Sequence, residues 1–415
     1  MTAVAPTILL VGTFDTKNDE LDYVAKVIRE QGGHVLSMDV SVLGDPGGPT
    51  DISKHEVAEA AGSDIETVIA GGGENCAMQI MARGAAALTV KLHHAGRING
   101  VLVLGGTMGT DLALDVCNAL PLGVPKYIVS TVSFSSMIPA ERLPADIQMI
   151  LWAGGLYGLN SVCRASLSQA SGAVLGAARA VERPERSRPL IGMTSFGKSA
   201  LRYMVPLKPA LEERGFDVAV FHATGMGGRA FESLASQGAF ACVFDFATQE
   251  VTNHLFGSSV TAGDSRLTAA GRAGTPQIVA PGCYDLVDLV GWQPVPEPLA
   301  DLPSHAHNRL LTSVVLDTDR RRATARCHCE KLAQATGPTA LILPLGGCGE
   351  WDRPGGDLHD AAGLAAFMNQ MRACAPDCAK VHPIDAHIND PAFADAALAI
   401  FDGWLADGTV ERPTP

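Results

Sequence analysis

Short apolar runs alternate with amphipathic stretches along this chain, and glycine-rich turns join them. That alternation constrains the fold more than any other feature. Parallel strands need a crossover, usually a helix, to reach their neighbours, so the pattern specifies helices on a mainly parallel sheet. The opening segment reads TILLVG, then GTFDTK, then NDELDYVAKVIREQGG, then HVLSMDV. Leu21, Val24, Ala25 and Ile28 fall at helical spacing, and Gly32-Gly33 closes that helix. Further strands are expected at TVIA, GVLVLGG, KYIVSTV and IQMILW, and one helix of small residues at SVCRASLSQASGAVLGAARAV.

A chain of 415 residues is too long for one ordinary core. The segment ERPERSRP, residues 182–189, is charged, carries proline and has no periodicity, so it is the expected boundary between domains at 1–182 and 190–415. The second half starts over with PLIGMTSFG, SALRYMVPLKPALEERGF and DVAVFHATG. Thr13 precedes Gly33 by 20 residues, and Thr194 precedes Gly215 by 21. Duplication accounts for this rhythm, and so does convergence of βαβ units. Later strands are expected at FACVFDF, PQIVAPG, TSVVLDT, TALILPLGG and AKVHPIDAHI, with a closing helix at PAFADAALAIFDGWLA.

The formal net charge of -13 argues against nucleic acid, which requires clustered Lys and Arg. The amino terminus lacks a basic leader, and no apolar run reaches the roughly 18 residues of a membrane span, so a cytoplasmic protein is expected. The 10 cysteines are scattered and form no zinc-type CxxC pair. Cys327-His328-Cys329 and Cys374 with Cys378 come nearest, and reduced thiols are the simpler reading.

Ligands of parallel α/β sheets bind outside the carboxyl ends of the strands, so the residues after each strand matter most. Gly12-Thr13-Phe14-Asp15-Thr16-Lys17 and Gly105-Gly106-Thr107-Met108-Gly109-Thr110 both join a strand to a helix. Helix-start amides offer free donors to an anion, Lys17 adds a full charge, and the threonines add hydroxyls. Neither loop is a Walker A or GxGxxG motif. The polar excursion 41–53, with Thr50, and Arg83 on a helix are further candidates for the same site. In the second half, His222, Asp245, Glu250, Asp385 and His387 follow successive strands and are the candidate acid/base or metal-ligating groups. Cys283 reads as a small buried thiol rather than a nucleophile.

GTFDTK, GGTMGT, FHATGMGGRAFE, TPQIVAPGCYD and HINDPAFAD, in that order, resemble an uncharacterised two-domain family of bacteria, fungi and plants. It is related to the amino-terminal region of the tomato mosaic virus resistance protein. The resemblance covers about residues 6–405. It implies an α/β fold of two Rossmann-like domains with mainly parallel sheets flanked by helices, ATP on the first domain, and a homodimer. Carried over by motif, the ATP contacts are Asp15, Thr16, Lys17, Gly105, Gly106, Thr107 and Met108, with Thr50 and Arg83 as additional ones. Met108 stands where the family usually has glycine. The chain is thus expected to bind ATP, with Mg²⁺ bridging the phosphates, and to act on a small metabolite held by the second domain. A nucleotide-gated binding protein without turnover is the alternative, as is a metal-dependent hydrolase or lyase using His222, Asp385 and His387.

Overall fold

A computed structural model describes residues 5–139, 142–143, 145–155, 158–182, 188–356 and 358–413. The chain forms two compact units, residues 1–184 and 185–415. Of the expected boundary segment, residues 183–187 lie outside the described residues.

The first unit runs β1 (Thr7–Gly12), α1 (Asn18–Glu30), β2 (His34–Asp39), α2 (Lys54–Ala60), α3 (Ile65–Ala70) and α4 (Glu74–His94). It continues with β3 (Gly100–Gly105), α5 (Thr107–Asn118), β4 (Lys126–Ser130), β5 (Ile147–Leu151) and α6 (Ser161–Ala180). Its sheet is parallel, in the order β2-β1-β3-β4-β5. Successive residues of β1 feed opposite layers. Leu9 and Val11 pack with α2–α5, whereas Ile8 and Leu10 pack with α1 and α6. Both faces are covered, which is why these strands are continuously apolar.

One expected strand is a helix. TVIA belongs to α3, because Asp64 caps it by accepting the Thr67 N–H at 2.7 Å and the Thr67 hydroxyl at 2.9 Å. That capping geometry outweighs the β-branched composition.

The second unit runs β6 (Leu190–Ser195), α7 (Met204–Glu213), β7 (Asp217–His222), α8 (Met226–Ser236), β8 (Cys242–Asp245) and α9 (Gln249–Leu255). Next come α10 (Ala269–Arg272), β9 (Gln277–Val279), β10 (Leu286–Val290), β11 (Ser304–Ala306), β12 (Leu311–Val315) and α11 (Thr318–Leu332). It ends with β13 (Thr339–Pro344), α12 (Ala361–Cys374), β14 (Ala379–Ile384) and α13 (Pro391–Asp407). The main sheet is again parallel, in the order β14-β13-β9-β8-β6-β7. Read in chain order, both units send their second strand to one side of the first and the later strands to the other. TSVVLDT does not join this sheet. It forms β12 in a separate antiparallel sheet, β10-β12-β11, where Asn308 Oδ1 accepts from the N–H groups of Leu310 and Leu311 to make the turn. Among the described residues, no helix is long and apolar enough to cross a membrane.

α13 seals one face of the second unit. Its fully buried Phe401 meets Phe216 at 5.3 Å and Phe244 at 5.5 Å between ring centroids. Phe401→Ala is expected to cost about 3–5 kcal/mol in chemical denaturation, the usual loss for truncating a buried aromatic.

Candidate functional site

In the first unit the strand order reverses between β1 and β3, where an open parallel sheet leaves a crevice. The loops after these two strands face a cleft of about 310 Å³. Thr13, Asp15, Thr16 and Lys17 line one part of it and Gly105–Gly109 another. Of the residues singled out from sequence, Asp15, Thr16, Lys17, Gly105, Gly106, Thr107 and Met108 line this one cleft. Thr50 and Arg83 are not among the lining residues. Arg83 is exposed and donates back to the Gln79 carbonyl of its own helix at 3.3 Å.

The cleft floor is set by α5. This helix starts at Gly106 without a side-chain cap. Its first-turn amides have no acceptor within the helix and supply partial positive charge. Gly105 is required by close approach, because a Cβ there would lie 2.5 Å from Gly109 Cα. Thr110 pins the start, with its hydroxyl 2.7 Å from the Gly106 carbonyl and 2.6 Å from the Ser130 hydroxyl. Met108, half-buried, packs on the core while still bordering the cleft.

The other loop is shaped by a residue that the sequence reading passed over. Asp39, fully buried at the end of β2, accepts the Phe14 N–H at 3.1 Å and the Ser41 N–H at 3.0 Å. Ser41 Oγ in turn accepts the Asp15 N–H at 3.1 Å, and Asp15 Oδ2 accepts the Gly44 N–H at 3.0 Å. The available signal was an aspartate ending an apolar strand. Asp15 Oδ1 is buried and has no hydrogen-bond partner. Val42 and the exposed Leu43, from the excursion 41–53, also line the cleft, and Glu74 and Met78 complete it and were missed. A second cavity of about 320 Å³ shares Met78, Thr107 and Met108 with the first and adds apolar walls from Leu114, Val132 and Ile138.

The five acid/base candidates of the second unit do not assemble into one site. Asp245 and Glu250 are buried around Arg266, which is fully buried. Arg266 meets Asp245 through two nitrogens at 2.5 and 2.6 Å, Glu250 at 2.7 Å and Glu232 at 3.1 Å. Glu250 Oε1 also accepts the N–H groups of Gly225 at 2.5 Å and Gly228 at 3.2 Å. The glycine-rich start of α8 is thus satisfied by a protein carboxylate, and a Cβ at Gly228 would collide with it. His387 is a buried strut: Nδ1 accepts the Asn389 N–H at 3.0 Å, while Nε2 faces the Gly349 carbonyl at 2.9 Å and Asp352 at 3.0 Å. His222 and Asp385 are exposed. Among the described residues, no group of three or more His, Cys, Asp or Glu side chains is placed to hold a metal ion.

Residues 6–183 match the model described as Uncharacterised protein family (UPF0261) N-terminal domain, and residues 188–405 match its C-terminal domain. A UPF0261 protein of Brucella melitensis is 54% identical over 408 residues, covering 98% of both chains. A UPF0261 protein of Clostridium tetani is 34% identical, covering 94% of this chain and 96% of that one. The ToMV susceptible protein tm-1(GCR26) of Solanum lycopersicum is 27% identical, covering 96% of this chain and 55% of the tomato protein. Among solved structures, the S. aureus MnaA-UDP co-structure matches 66% of this chain and 79% of that one at 9% identity, with a TM-score of 0.23. The E. coli ADP-heptose LPS heptosyltransferase II matches 73% and 92% at 10% identity, with a TM-score of 0.20. Scores this low superpose no site.

The Arg266 network has a pH signature. Burial pushes the Glu250 carboxyl up to about 7, although Arg266 pulls it down. The folded chain therefore keeps a proton that the unfolded chain releases near the ordinary value of 4.5. This stabilisation is complete below that value and is lost as pH rises to about 7. Asp285, pushed up to about 6 mainly by burial, acts in the same direction. Urea midpoints are expected to fall across this window, and Glu250→Gln should make the fall shallower. An equally steep fall in the variant would contradict the assignment.

Proposed function

Since the chain belongs to the uncharacterised UPF0261 family, we propose that its first unit binds ATP in the cleft between the β1 and β3 loops. The observation that carries this reading is an uncapped helix start facing a lysine-bearing loop at the strand-order reversal. The amides of Thr107–Gly109 would take phosphate oxygens, and Lys17 would offset their charge. The adjoining cavity offers apolar room for a base. Mg²⁺ suits the same donor set, because Asp15 lines the cleft and keeps an unpartnered carboxylate oxygen. Bound with ATP, it would neutralise phosphate charge.

Binding that gates another event is favoured over turnover of a metabolite on the second unit. Asp245, Glu250 and His387 are already engaged in buried networks rather than presented to a ligand. The proposal extends to a homodimer, which the family resemblance implies, in the cytoplasm, the setting expected from the sequence.

Calorimetry with ATP·Mg²⁺ is expected to show binding by the parent protein. Lys17→Ala should weaken it at least tenfold, or about 1.4 kcal/mol for one charge-assisted contact. Gly105→Ala should weaken it too, by displacing the start of α5. Unaltered affinity in Lys17→Ala would overturn the loop assignment. Steady phosphate release from the parent with ATP alone would replace gating by turnover.

A further inference from the structure

The two cysteine motifs of the second unit are separate in sequence and adjacent in space. Cys329, from Cys327-His328-Cys329, lies on α11, and Cys374 is the last residue of α12. Their sulfurs are 2.7 Å apart, closer than two unbonded sulfurs settle. Among the described residues, no other pair of cysteine sulfurs is within hydrogen-bonding distance. Cys329 is 3% exposed, with its sulfur also 3.9 Å from Met371 Sδ, whereas Cys374 is only half-buried. Cys378, grouped with Cys374 in sequence, lies beyond the end of α12 and points its thiol to the Leu332 carbonyl at 3.5 Å.

We propose that Cys329 and Cys374 form a redox dithiol that closes to an α11–α12 disulfide by exchange with a low-molecular-weight disulfide of the glutathione type. The half-exposed Cys374 is the entry sulfur. Its thiolate, after yielding a proton to solvent, attacks one sulfur of oxidised glutathione; that S–S bond breaks and one glutathione thiolate leaves. Cys329 then gives up its proton and attacks the Cys374 sulfur of the mixed disulfide, expelling the second glutathione. The departing thiolates recover the two protons. The protein pair is oxidised, and one glutathione disulfide is reduced to two thiols. The sulfurs already touch, so the two thiols are placed to bond.

Closing the intervening loop restricts the unfolded chain, so the oxidised form should be harder to unfold. The test uses the full chain, equilibrated with oxidised glutathione, quenched in acid, alkylated and mapped by mass spectrometry. The expected result is a Cys329–Cys374 linked peptide, the loss of two alkylatable thiols, and a melting midpoint that rises and returns on reduction. In Cys329→Ser, glutathione should remain as an adduct on Cys374. A parent protein with both thiols still alkylated, a Cys374–Cys378 link in place of the proposed one, or an adduct confined to Cys378 would overturn the proposal.

Discussion

Parallel strand pairing is the constraint on which the rest of this molecule depends. It brings the carboxyl ends of all strands of a main sheet to one edge. It also requires each connection to cross back over a face, which covers both faces with helices. The reversal of order beside β1 then separates two neighbouring loops and leaves a crevice between them. Loop chemistry can vary there without disturbing the core, since the strands beneath are buried on both sides.

The two units handle glycine-rich helix starts in opposite ways. In the first, α5 begins with no side-chain cap, and its first residues line the cleft. In the second, Glu250 supplies the acceptor at the start of α8 and is itself held by Arg266. Three carboxylates surround one guanidinium, and burial raises both Glu232 and Glu250 against the pull of Arg266. Such a knot is costly to desolvate and more costly to break. Its role here is to tie α8, β8, α9 and the loop before α10 together. A polar residue after a strand can serve the protein itself as readily as a ligand, and only its partners tell which.

Much of the fold was legible because hydrophobic periodicity is local. The strands β1, β3, β4, β6 and β13 are apolar runs bounded by turns, and the sequence marks them directly. TVIA misled because a four-residue apolar run carries no period, and the Asp64 cap decides its conformation. TSVVLDT was recognised as a strand, but its pairing partner depends on a hairpin turn through Asn308 that apolar patterning does not encode. At the candidate site, Lys17 and the Gly105–Met108 turn were readable because loop chemistry is concentrated in adjacent residues. Asp39 was not, because its hydrogen bond reaches across to a loop 25 residues earlier.

The sequence by itself determined the α/β class, the repeated strand–helix rhythm and the two glycine-bearing strand-to-helix loops of the first unit, since each is written in contiguous residues. Tertiary structure alone decided which loops become neighbours, because strand order is not a local property. It also decided that Asp245, Glu250 and His387 support the scaffold, and that Cys329 meets Cys374 across 45 positions of sequence. The physical reason is the same in each case. Burial and partnership belong to the packed chain, and they determine whether a titratable side chain is available for chemistry.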